Sequence, residues 1–214
     1  MQTPCEEWAV SPVAVQRRPD FGAYVMAVER VERLLRSVAE ALEAAELDYA
    51  VIGGNAVAAW VSTVDPAATR ATKDVDLLVR RGDLQRIADA LRKLDLIPIE
   101  VLGVHMFVDQ KQPNPKLGVH LVFANEIVRP HYTHPAPDPS SSCRSVLEFR
   151  VVNLLELVVM KLQAYRRVDQ VHIEDLFRVG LIDAELAATL PPDMLDRLRH
   201  VRDTTDGLEE PPKF

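Results

Sequence analysis

Residues 70–80 read RATKDVDLLVR, and the two acids in this stretch constrain the chain more than any other feature. The apolar residues from Val75 to Val79 predict an extended segment. In such a segment residues two apart share a face, so Asp74 and Asp76 project together while Val75, Leu77 and Val79 enter a core. Two carboxylates side by side repel each other unless positive charge stands between them. Mg²⁺ supplies such charge: it binds carboxylate oxygens and shares the rest of its shell with waters and substrate phosphates.

The preceding stretch, YAVIGGNAVAAW, supplies the complement. It predicts a buried strand over 49–52, a glycine pair, a helix opening at Asn55, and then a polar loop over 63–72 that can close over a ligand. Without side chains, Gly53 and Gly54 let backbone amides approach a phosphate, and a helix N-terminus adds favourable potential for an anion. Arg70 and Lys73 precede the acidic pair and are placed to meet phosphate oxygens. The combination predicts a cradle for a metal-bound nucleoside triphosphate.

GGNAVAAW followed by Arg-x-Thr-x-Asp-x-Asp resembles the nucleotidyltransferase superfamily, with its polymerase-beta-like fold. More narrowly it resembles minimal bacterial nucleotidyltransferases related to the AbiEii toxins of toxin–antitoxin and abortive-infection systems. The resemblance spans about residues 47–177. It implies an α/β (α+β) fold, a central mixed sheet flanked by helices with a helical C-terminal region. It also implies Asp74 and Asp76 as metal ligands for Mg²⁺ or Mn²⁺, and Gly53, Gly54, Asn55, Arg70, Thr72 and Lys73 as nucleotide-binding residues. In MKLQAYRRVDQVHIEDL it matches Lys161, Arg166 and Asp169 to a later helix, where Lys161 and Asp169 join the nucleotide-binding set. The strand GVHLVF is where the family has a third carboxylate; here His120 stands at that position. An imidazole can accept a proton or ligate a metal, but it supplies no negative charge. His120 therefore implies one firmly held ion, a softer ion, or lost catalysis.

At 214 residues the chain is long enough for one core with a helical appendage. A hydrophobic content of 48% and a charged content of 27% are those of a globular protein. The net charge of −7 argues against a broad basic surface for nucleic acid, although Arg70, Lys73, Arg80 and Arg81 could form a local phosphate-binding patch. Cys5 and Cys143 show no metal-ligand spacing and read as free thiols of a reducing compartment. Neither a signal peptide nor a membrane-spanning stretch is visible, so a cytoplasmic protein is expected.

Residues 1–20 read as an arm, 21–152 as the core, 153–204 as a helical region and 205–214 as a tail. Apolar residues at Val28, Val31, Leu35, Val38 and Leu42 predict a helix over 24–46 that packs on the sheet or pairs with a second subunit, giving a homodimer. Further helices are predicted over 84–94, from Asn153 with Glu156 in a capping box, over 171–179, 183–189 and 191–202. Strands are expected over 97–101, 104–108, 118–123 and 146–152, and a loop over 129–143. The expected activity is transfer of a nucleoside monophosphate from an NTP to a hydroxyl on a protein or RNA acceptor, with Asp74, Asp76 and His120 at the reacting centre and an antitoxin-like protein as partner. The competing expectation is a catalytically degenerate fold acting as a nucleotide-binding or protein-interaction module.

Overall fold

A computed structural model of the chain describes residues 21–145 and 147–205. The arm over 1–20 and residues 206–214 of the tail lie outside the described residues. Among the described residues seven strands form one mixed sheet, β1 (Tyr49–Val51), β2 (Val75–Val79), β3 (Leu96–Val101), β4 (Val104–Asp109), β5 (Val119–Phe123), β6 (Cys143–Arg144) and β7 (Arg150–Val151), in the order β3-β4-β5-β2-β1-β7-β6. The helices are α1 (Phe21–Ala44), α2 (Gly53–Ser62), α3 (Leu84–Arg92), α4 (Leu154–Ala164), α5 (Arg167–Arg178), α6 (Ala184–Thr189) and α7 (Pro192–Thr204). No helix among the described residues is long and apolar enough to cross a membrane.

The period of two along each strand sorts the side chains into two layers. Val75, Leu77 and Val79 of β2, with Val119, Leu121 and Phe123 of β5, bury themselves against α1 and α3. Leu78 and Ala50 face the other way, into an apolar cluster with Val57 of α2, Leu157 and Leu162 of α4, Ile173 and Leu176 of α5, and Leu198 of α7. Asp76 and His120 alternate with the first set and so belong to this second face. A slip of β2 by one residue would drive Asp76 into the α1–α3 layer and lift Leu77 out of it. Each large apolar side chain kept buried is worth about 1.5–3 kcal/mol, so the register is strongly specified.

Strand direction places the site. β2 runs parallel to β5 and antiparallel to β1, so β2 and β5 begin at the edge where β1 ends and α2 starts. The glycine pair and the acids are therefore delivered to one end of the sheet.

Several boundaries differ from expectation. α2 opens at Gly53, two residues before Asn55. Asp74 precedes β2 by one residue. Of the single strand expected over 146–152, only Arg150–Val151 is a strand among the described residues; it pairs with β6 across a turn in which Glu148 N–H donates to Ser145 O and Glu148 takes φ +71°. α5 begins at Arg167, four residues earlier than expected, because Asp169 accepts a hydrogen bond from the Arg166 N–H and so caps the new first turn. At α4 only one half of the capping box forms: Asn153 accepts from the Glu156 N–H, while the Glu156 carboxylate accepts from Ser141 Oγ.

Candidate active site

Asp76 of β2 and His120 of β5 are register partners, and the imidazole Nδ1 lies 3.4 Å from Asp76 Oδ1 and 3.7 Å from Asp74 Oδ2. On its other side, Nε2 is 2.8 Å from the carbonyl of Pro115, in the turn that feeds β5. A carbonyl only accepts, so Nε2 carries hydrogen and Nδ1 is the atom turned to the acids. The hydrogen bond with Asp76, assisted by the Pro115 carbonyl and the Asp74 charge, outweighs burial and holds His120 up at about 9. At neutral pH the ring is thus an imidazolium between the two carboxylates, and an ion that took Nδ1 as a ligand would displace its proton.

One ligand atom from each of Asp74, Asp76 and His120 lies within 4.8 Å of the others, forming a three-residue group that could hold a metal ion. Adjacent ligands around an ion with bonds near 2.1 Å are about 3 Å apart, so these separations need only small adjustments to fit one ion.

Gly53 explains the glycine pair. It has φ +69°, and a Cβ there would lie 2.1 Å from Asp76 Oδ2. Only a bare backbone fits between the start of α2 and the carboxylate. Gly54 is less restrictive, its missing Cβ being 3.2 Å from the Thr72 Cβ and 3.7 Å from His172 Cε1. Asn55 and Thr72 are spent on Asp74: Asn55 Nδ2 donates to its carbonyl at 2.8 Å, and Thr72 Oγ1 donates to its Oδ1 at 3.1 Å. They hold the acid in place.

Lys161, Arg166 and Asp169 are brought together at the meeting of α4 and α5. Lys161 Nζ donates to Asp169 Oδ1 at 3.1 Å, with only 6% and 1% of the two side chains exposed. Burial pulls the Lys161 ammonium below its usual range against the pull of Asp169 and then Asp76. Burial pushes the Asp169 carboxyl up, but hydrogen bonds from Arg166 and the Lys161 charge prevail and leave it lowered. Lys161 is thus turned inward, whereas Arg166, 68% exposed, presents a cation to the open side. Both feel the charge of Asp76.

The expected basic patch does not form. Arg70 is bound bidentately by Asp175 of α5, at 2.6 and 3.0 Å. Arg80 is shared between Asp48 and Asp138 at the far end of β2, and Arg81 is held by Glu126. Lys73 is exposed on the loop before β2.

Sequence reasoning passed over Pro115, His172 and Asp175. The contact of Pro115 is a carbonyl, which no residue type signals. His172 and Asp175 did have a signal, since they follow Asp169 at intervals of three on one face of α5. Among the described residues His172 Nδ1 is buried without a hydrogen-bond partner, and burial, reinforced by the Lys161 charge, pulls the ring down to about 4.

No family model matches the chain, and no curated protein matches it in sequence. Among the solved structures that match are two of like fold. One is the solution structure of the antibiotic-resistance factor ANT(2'')-Ia, with TM-score 0.52 and 16% identity over 81% of this chain and 91% of that one. The other is an antigenic nucleotidyltransferase-like protein from Paracoccidioides brasiliensis, with TM-score 0.51 and 16% identity over 83% of this chain and 89% of that one. The chain has the nucleotidyltransferase fold.

Proposed function

We propose that the chain transfers a nucleoside monophosphate from an NTP to an acceptor hydroxyl, releasing pyrophosphate, in a reaction that depends on a divalent ion. The observation that supports this most is the convergence of Asp74, Asp76 and His120 against the bare backbone of Gly53. A divalent ion bound there would offset the negative charge that develops along the phosphate chain.

The rest of the work falls to the chain itself, and it is alignment and charge balance rather than covalent chemistry. Asp74 and Asp76 would supply the anionic ligands and His120 the third. Gly53 makes room for the Asp76 carboxylate against the start of α2, whose first N–H groups would meet a phosphate. Arg166 and Lys73 are the exposed cations on the loops that border the acids. Lys161 acts from behind, fixing Asp169, which in turn fixes Arg166. Asn55 and Thr72 hold Asp74 in register with Asp76.

The proposed acceptor is a hydroxyl of protein or RNA, and the likeness in fold to an antibiotic-resistance factor adds antibiotics to the screen. The resemblance of the GGNAVAAW and TRATKDVDLLV stretches to AbiEii-type toxins supports a role beside an antitoxin-like partner in the cytoplasm. The test is incubation with each α-labelled NTP and Mg²⁺ or Mn²⁺ across these acceptors. Native protein is expected to transfer label, and Asp74→Asn with Asp76→Asn is expected to lose about a hundredfold or more. Transfer unchanged in that double variant would refute the assignment.

His120 favours a second reading, because an imidazole supplies no negative charge at that position. On that reading the fold binds a nucleotide without reacting. NTP binding with no transfer to any acceptor would support it, and robust transfer would exclude it.

A further inference from the structure

We propose that the centre formed by Asp74, Asp76 and His120 selects a first-row divalent transition ion over Mg²⁺, with the Nδ1 lone pair of His120 as a direct ligand. The inference rests on reading these three side chains as a metal centre and adds the identity of the ion. Three observations support it.

First, the tautomer is set from behind. Nε2–H donates to the Pro115 carbonyl at 2.8 Å, so the lone pair of the neutral ring lies on Nδ1, the atom facing the acids. Histidine ligands to metals are held this way, with the second ring nitrogen donating to a carbonyl that fixes the ring and raises its basicity.

Second, the ring position follows from the sheet. His120 is paired with Asp76 on one side and with Met106 of β4 on the other. The two Asp76 oxygens divide the available space: Oδ1 turns to His120 and Oδ2 to Gly53. A ligand atom on His120 therefore shares the space of the acids without any strand movement.

Third, the donor set is mixed. Mg²⁺ is a hard ion that takes oxygen ligands and keeps several waters, and gains little from an imidazole nitrogen. Mn²⁺, Fe²⁺, Co²⁺ and Zn²⁺ accept nitrogen beside carboxylate oxygen, with affinity rising from Mn²⁺ onward. Two carboxylates and one oriented imidazole thus discriminate by ligand type.

The test uses the full chain and Mn²⁺ as probe. Pulsed electron paramagnetic resonance reads whether nitrogen is bonded to the ion, and Mg²⁺ competition reads the preference. Native protein is expected to show nitrogen modulation and to bind Mn²⁺ at least about tenfold tighter than Mg²⁺. His120→Asp is expected to keep Mn²⁺, lose the modulation and narrow the preference. Mn²⁺ bound by native protein without nitrogen modulation, or Mg²⁺ bound as tightly, overturns the proposal. Label transfer measured on the same samples separates the two claims. Nitrogen-coupled Mn²⁺ without transfer upholds the ion assignment and refutes the activity, and full transfer with Mg²⁺ and no nitrogen coupling does the reverse.

Discussion

Gly53 and Asp76 occupy a space that admits only one side chain: a Cβ on the glycine would lie 2.1 Å from the Asp76 carboxylate oxygen. The φ of +69° adds a second obstacle, since a non-glycine residue there costs about 1–2 kcal/mol. Gly53→Ala is therefore expected to lower stability by at least that amount and to displace Asp76. Denaturant unfolding reads the first effect, and loss of divalent-ion binding reads the second. A Gly53→Ala protein with native stability and native ion affinity would show that the close approach is unimportant.

The Lys161–Asp169 pair is sealed from solvent, so its two halves depend on each other. Removing one partner of a buried pair strands a charge and costs about 3–5 kcal/mol. Asp169→Ala is expected to fall in that range, and Lys161→Met with Asp169→Leu to cost less than the two single changes added together. Chemical unfolding of the four proteins measures the coupling. Strict additivity would contradict the pairing.

How much of this was legible in the sequence depends on whether each feature is local. The period of two around Asp74 and Asp76 is written into eleven consecutive residues, and it correctly placed Val75, Leu77 and Val79 in the core. The mixed sheet with flanking helices, which the resemblance to nucleotidyltransferases implied, is present. What was missed depends on long-range partners. Arg70 looked like a phosphate ligand because Asp175, 105 residues later, was not known to fold against it. Arg80 looked free for the same reason, before Asp48 and Asp138 closed on it. The early start of α5 was hidden because its cap, Asp169, lies inside the helix and reaches back. The turn between β6 and β7 was hidden because Val151 and Val152 look like the end of one longer strand.

Arg70 pins the loop over 63–72 to α5; its own side chain is 58% exposed, but that of Asp175 is 7% exposed. Removing the arginine leaves a buried carboxylate without its bidentate partner, so Arg70→Ala should lower stability by about 1–3 kcal/mol. The loop should loosen as well. Limited proteolysis, compared at equal fraction folded, is expected to cut between residues 63 and 72 faster in the variant. Equal cleavage rates would show that the loop is held by something else.

His172 gives a pH signature. Its ring is held near 4 by burial and by the Lys161 charge, with Arg166 adding and Asp169 and Asp175 opposing, while an unfolded histidine titrates near 6.5. Between those values the unfolded chain binds a proton that the folded chain refuses. Its contribution is therefore fully present above about 6.5 and is lost as pH falls toward 4. The difference between native and His172→Asn stability, followed from pH 7 to pH 4, should shrink in that window. A constant difference would mean that the ring is charged in the folded state or reaches solvent freely.

The most direct measurement of the central claim is calorimetric titration of an NTP into the native chain, with and without a divalent ion, beside the Asp74→Asn, Asp76→Asn double variant. Saturable binding that requires the ion and disappears in the variant is the predicted result. NTP binding that ignores the ion, or persists when both acids are gone, would contradict it.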